Sequence, residues 1–95
     1  MSVIWEFPLP LGGWGIMPTA RHTFSMPSDS RILALQVQRD VPTLWAQVDP
    51  KSPGVPKTFE WVGTGHPVPD DGDYVGTVQV HGGEFVFHLY EVGAA

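Results

Sequence analysis

The residues with the best claim to chemistry are four histidines, His22, His66, His81 and His88, in a chain of 95 residues that has no cysteine. An imidazole can ligate a metal or pass a proton near neutral pH, so spacing decides what these four can do. His81 and His88 fall in two alternating runs, residues 74–81 and 84–92, separated by Gly82-Gly83. A two-residue turn there pairs His88 with Thr77, four residues from His81 and about 13 Å away at the rise of a strand. Rings that far apart do not share an ion, so no metal site and no cofactor is expected. His81 with Glu84 directly opposite reads as a structural cross-strand pair.

Gly63-Thr64-Gly65-His66-Pro67 is the most pocket-like segment. Its glycines would let backbone N–H groups approach an anion, with Thr64 and His66 adding donors. Phosphate recognition at this turn would need Arg31 or Arg39 alongside it. A tight strand exit into a proline turn explains the same residues, and the spacing matches no phosphate loop. Asp70-Asp71-Gly72-Asp73 lacks the ligand spacing of a calcium loop and reads as a solvated turn. No G-x-S-x-G elbow is present, and Ser28 and Ser30 belong to turn chemistry. No catalytic residue is assigned.

Residues 8–20 carry no charge until Arg21 follows, yet hold Leu9, Leu11, Trp14, Ile16 and Met17. Irregular backbone usually runs on the surface, whereas these side chains favour burial. Either the loop folds back over an open end of the core, or Trp14, Ile16 and Met17 form a contact surface. Trp45, on the polar side of a strand, also points to an interface, because Trp is enriched at interface centres. Two-fold homodimers are the commonest way to bury such a surface, so a homodimer is expected.

The elements that must position these residues are strands. Residues 3–7, 21–26, 31–38, 43–48, 58–64, 74–81 and 84–92 show alternation or β-rich composition, and no stretch keeps a helical period. The last hairpin is two-faced: Val78, Val80, Phe85, Phe87 and Leu89 against Val75, Thr77, Gln79, His81, Glu84, Val86, His88 and Tyr90. A four-residue loop, Arg39-Asp40-Val41-Pro42, brings Leu33, Leu35 and Val37 to the same side as Leu44, Ala46 and Val48. Residues 49–57, with three prolines, read as loop. The expectation is one all-β domain over residues 1–95, with six or seven short antiparallel strands in a sandwich, small barrel or curled meander.

Composition narrows the partners. The hydrophobic fraction is 42%, and 11 Gly and 10 Pro favour short strands joined by turns. The net charge is −5 and the five basic residues are dispersed, so nucleic-acid binding is not expected. The lack of disulfides and of a long apolar run points to the cytoplasm, without membrane contact.

The strings Ile4-Trp5-Glu6-Phe7-Pro8-Leu9-Pro10-Leu11, Val41-Pro42-Thr43-Leu44-Trp45-Ala46-Gln47-Val48-Asp49-Pro50 and Val62-Gly63-Thr64-Gly65-His66-Pro67-Val68-Pro69 carry a further signal. With Tyr74-Val75-Gly76-Thr77-Val78-Gln79 and His81-Gly82-Gly83, they resemble a small uncharacterised family encoded by tailed phages and by bacteria. The resemblance covers most of the chain and implies an origin, not an activity. After Leu11 the chain departs from the pattern of that family, so the resemblance implies no family-wide role for the Trp14 loop.

The leading expectation is a non-enzymatic phage or prophage accessory protein that binds a host or defence component. The alternative is a small-ligand binder that sequesters a nucleotide-like signal at Gly63, Thr64, Gly65 and His66, with Arg31 or Arg39. A small hydrolase is third.

Overall fold

Runs in which every second residue is apolar bury one face only when a second layer covers that face, and here two sheets cover each other. The computed structural model describes residues 1–11 and 21–93. Its strands are β1 (Val3–Pro8), β2 (Arg21–Pro27), β3 (Ser30–Gln38), β4 (Val41–Val48), β5 (Gly54–Gly63), β6 (Asp73–Val80) and β7 (Phe85–Val92). One sheet has the order β1-β4-β3 and the other β2-β5-β7-β6, with every neighbour antiparallel. Trp14, Ile16 and Met17 lie outside the described residues.

Strands β2 to β5 form one long ribbon bent at a corner. Its tip is the β3–β4 turn; its first half pairs Ser30 with Val48, and its second half pairs Pro27 with Gly54. Between these pairs both chains cross from one sheet to the other. The two crossings are stitched together: Ser28 N–H bonds the Pro53 carbonyl at 2.8 Å, and Asp49 N–H bonds that of Asp29 at 2.9 Å. Ser52 accepts from Asp29 N–H and donates to the Asp49 carbonyl, so the corner satisfies its own backbone groups.

Between the sheets lie Phe7, Met26, Leu44, Ala46, Val48, Phe59, Trp61, Val78, Val80, Phe87 and Leu89, all buried. Leu9 plugs the end of this layer. It is fully buried, its N–H bonds the Pro42 carbonyl at 2.8 Å, and its own carbonyl accepts the Trp61 Nε1–H at 3.2 Å. Leu11, partly buried, packs against the same core. For these two residues the segment after β1 does fold back over the core.

The structure corrects several details. The β3–β4 connection is the two-residue turn Arg39-Asp40, not a four-residue loop, with φ of 50° and 66°, the left-handed pair such a hairpin needs. The register thereby slides by two, Leu35 meeting Leu44, and a slip of two keeps every side chain on its face. A bulge between Ile32 and Ala34 leaves Leu33 exposed and gives its core place to Ile32. A second bulge between Tyr74 and Gly76 moves Val75 from the expected mixed face onto the core, and Tyr74 to the outside. Strand β5 begins at Gly54 rather than residue 58. Up to Lys57 it pairs with β2 alone, so its other edge is free to hold Pro56.

The last hairpin keeps the expected register, Val80 with Phe85, Val78 with Phe87 and Thr77 with His88. Its turn is wider. His81 joins Gly82 and Gly83 at positive φ, so the ladder closes at Val80 and Phe85, and His81 and Glu84 are turn residues rather than a ladder pair. The His81 ring stands edge-on to Phe85 at 5.7 Å.

Candidate functional site

Residues 64–72 connect β5 to β6, which run parallel on either side of β7, so this connection must pass over β7. It does so on the outer face: a Cβ built at Gly72 would lie 3.1 Å from the Tyr90 ring, and Tyr90 is outward because Leu89 is in the core. The connection begins with a tight turn. His66 N–H bonds the Gly63 carbonyl at 3.0 Å and Gly65 has φ of 92°, the pattern of a type II turn with glycine third.

Thr64, at the head of this turn, ends a row of polar side chains across the sheet. Its hydroxyl donates to the Val86 carbonyl at 3.3 Å. That spends its one hydrogen, so in the 2.9 Å contact with His88 Nε2 the ring donates. In the neutral ring Nδ1 then accepts from Thr77 Oγ1 at 2.9 Å, and Thr77 in turn accepts from the Tyr74 hydroxyl at 2.6 Å. Every hydrogen in the chain Tyr74–Thr77–His88–Thr64–Val86 is placed once. A ring that donates to Thr64 does not draw off its proton, so this arrangement does not activate Thr64 as a nucleophile.

Among the described residues neither arginine is bonded to this turn. Arg31 lies next to the corner, opposite Gln47, whereas the turn leaves β5 ten residues beyond that corner, about 30 Å along an extended strand. Arg39 sits in the β3–β4 turn. Among the described residues neither makes a hydrogen bond or ion pair with Thr64, Gly65 or His66. His22 is occupied as well, donating Nε2–H to the Pro10 carbonyl at 2.8 Å. Among the described residues no cluster of three or more His, Asp or Glu could hold a metal ion.

The outer face of the other sheet has a different character. Leu44 and Ala46 are fully buried, so Trp45 between them points outward from the central strand, half-buried, in a row with Glu6 and Ala34. Ile4 and Leu33 add apolar surface, 61% and 42% exposed. Gln38 donates to Glu6 at 3.4 Å, bridging over β4 beside Trp45 where Thr43 is buried. An apolar centre is thus rimmed by Glu6, Gln36, Gln38 and Gln47.

A family model for a domain of unknown function, DUF7352, matches residues 1–95. The chain belongs to that family. Neither a curated protein nor a solved structure matches it. In this DUF7352 domain, Gly63, Thr64, Gly65 and His66 share one turn, as their adjacency dictates, while Arg31 and Arg39 are on the other sheet. Sequence reasoning missed Tyr74 and His88 as partners of Thr64. The Thr77–His88 pair followed from the hairpin register, but Thr64 joins only through β5–β7 pairing and Tyr74 only through the bulge at Val75. Among the described residues no helix is long and apolar enough to cross a membrane.

Proposed function

We propose that this DUF7352 domain is a non-enzymatic accessory protein of phage or prophage origin that binds a host or defence protein. The observation that carries this reading is Trp45, half-buried at the middle of the outer face of β1-β4-β3, between the exposed Ile4 and Leu33 and inside a polar rim. An apolar centre with an aromatic anchor and a polar border is the make-up of a protein-binding surface. The dispersed basic residues argue against a nucleic-acid partner. Immobilised wild-type domain and a Trp45→Ala variant, presented to the same host lysate, test the reading. A specific partner captured by the wild type should bind the purified variant at least about thirtyfold more weakly, the loss of a central aromatic anchor. Equal affinity for a variant that melts like the wild type would reject this face.

The row Thr64–His88–Thr77–Tyr74 favours a second reading, a small-ligand site on the outer face of the other sheet. It offers ordered, exposed polar groups beside the open turn at Gly65. A nucleotide panel that shifts the wild-type melting temperature but not that of Thr64→Val would support it. No shift with any nucleotide would remove it.

A further inference from the structure

Strand β1 is an edge, and its hydrogen-bonding pattern can be read from a single bond. Leu9 N–H donates to the Pro42 carbonyl, which continues the β1–β4 register beyond Pro8 and Thr43. Directly bonded pairs in an antiparallel ladder recur every second residue, so Phe7, Trp5 and Val3 exchange bonds with Leu44, Ala46 and Val48. The β3–β4 turn agrees: its closing pair Gln38–Val41 is bonded, so Pro42 turns away from β3 and towards β1. Ile4, Glu6 and Pro8 therefore aim their backbone groups outward. Ile4 and Glu6 each present an N–H and a carbonyl, and Pro8 only a carbonyl.

Among the described residues no strand pairs with this outer edge. On the other side of the same sheet, β3 is flanked by β6, where a Cβ built at Gly76 would lie 3.1 Å from Leu35. Strand β1 is only lightly protected as an open edge. Beyond Glu6 and the terminal Pro8 it has no lysine and no bulge, and Val3, Ile4 and Trp5 are 36%, 61% and 40% exposed. Trp5 is the telling residue. It points to the core side, yet part of its ring remains uncovered at the margin of the sandwich.

We propose that the outer edge of β1 binds the same edge of a second copy of this chain, antiparallel about a two-fold axis at Trp5. This register sets Ile4 opposite Glu6 of the other copy and overlaps the whole strand. Both outward N–H groups of each copy then meet outward carbonyls. Pro8 is met by Ser2, so its missing N–H leaves no acceptor within the strand unserved, and the two Glu6 carboxylates are not opposite each other. Trp5 meets its own copy as a non-bonded pair, the closer kind, which covers the exposed part of each ring. The three-stranded sheets merge into one of six strands, leaving both Trp45 faces open. The dimer stands independently of the binding role proposed for Trp45.

Ile4→Pro tests this directly. It deletes an outward N–H and no bond to β4, a substitution an edge strand tolerates. Sedimentation equilibrium should give the wild type twice the 10.4 kDa chain mass. The variant should dimerise at least about thirtyfold more weakly, since each change removes two symmetric bonds. A semisynthetic chain with N-methylated Glu6 deletes the other donor and serves if Ile4→Pro fails to fold. Hydrogen exchange gives a second readout: Ile4 and Glu6 amides should be protected in the dimer and lose protection on dilution, while Trp5 and Phe7 amides keep theirs. A wild-type monomer up to about 1 mM would overturn the proposal. A dimer that withstands loss of either donor, or one abolished by Trp14→Ser with the Ile4 and Glu6 amides unprotected, would overturn it equally.

Discussion

Trp61 and Leu9 are 52 residues apart, and the indole Nε1–H of one donates to the carbonyl of the other at 3.2 Å, both residues fully buried. The bond matters because each partner would otherwise be a polar group buried without water. Trp61 brings a donor into the core, and the strand that ends at Pro8 brings an acceptor past the last ladder pair. Each satisfies the other, and together they seal the end of the sandwich.

Leu9→Ala should therefore cost about 2–5 kcal/mol, the range for truncating a fully buried leucine. Trp61→Phe should cost less in volume but leave the Leu9 carbonyl unpaired, about 1–3 kcal/mol. Urea denaturation monitored by circular dichroism measures both. A Leu9→Ala midpoint matching the wild type would show that residue 9 does not close the core.

Phe87 faces Val78 and Gly63 across its two ladders and stacks with Phe85 at 6.4 Å between ring centres. Replacing it by alanine should cost about 3–5 kcal/mol, enough to threaten a domain this small. Calorimetric melting provides the check, and an unchanged melting temperature would refute its place in the core.

Gly76 allows β6 to approach β3. A Cβ there would sit 3.1 Å from Leu35 Cδ2 and 3.4 Å from its Cβ, so a branched side chain crowds Leu35 and forces that side chain, or the strand behind it, to give way. Gly76→Val should destabilise by about 1–3 kcal/mol, the usual cost of overpacking. A variant as stable as the wild type in denaturant would mean that this margin is loosely packed.

Arg39 and Asp40 hold left-handed backbone conformations that residues with a Cβ adopt at a cost. Asn-Gly suits that turn far better. The double replacement Arg39→Asn with Asp40→Gly should stabilise the fold by about 1 kcal/mol. A fall in the thermal midpoint would show that the native pair has compensating contacts.

His88 should carry its proton on Nε2 whenever the ring is neutral, because Thr64 uses its only hydrogen on the Val86 carbonyl. Nitrogen-15 spectra of the imidazole report the tautomer. Thr77→Val removes the donor to Nδ1 and should cost about 1 kcal/mol. A neutral ring protonated on Nδ1 would reverse the assigned direction of the whole row.

The strands and their faces were legible from local pattern, because alternation has a period of two and a hairpin turn couples neighbours directly. Phe85, Phe87 and Leu89 lie inward, with Phe85 half-covered, and the β3–β4 faces survived a wrong loop length because the error was two residues. What tertiary structure alone decided is where that period breaks and what distant strands bring together. The bulges at Leu33 and Val75 carry no local signature, yet one exposes a leucine and the other delivers Tyr74 to Thr77. Thr64 reaches His88 because β7 is inserted between β5 and β6. Leu9 reaches Trp61 because the chain bends at a corner that two stitched crossings hold. Alternation is a property of one strand, whereas strand order, bulges and end plugs depend on which surfaces the whole chain can bury together.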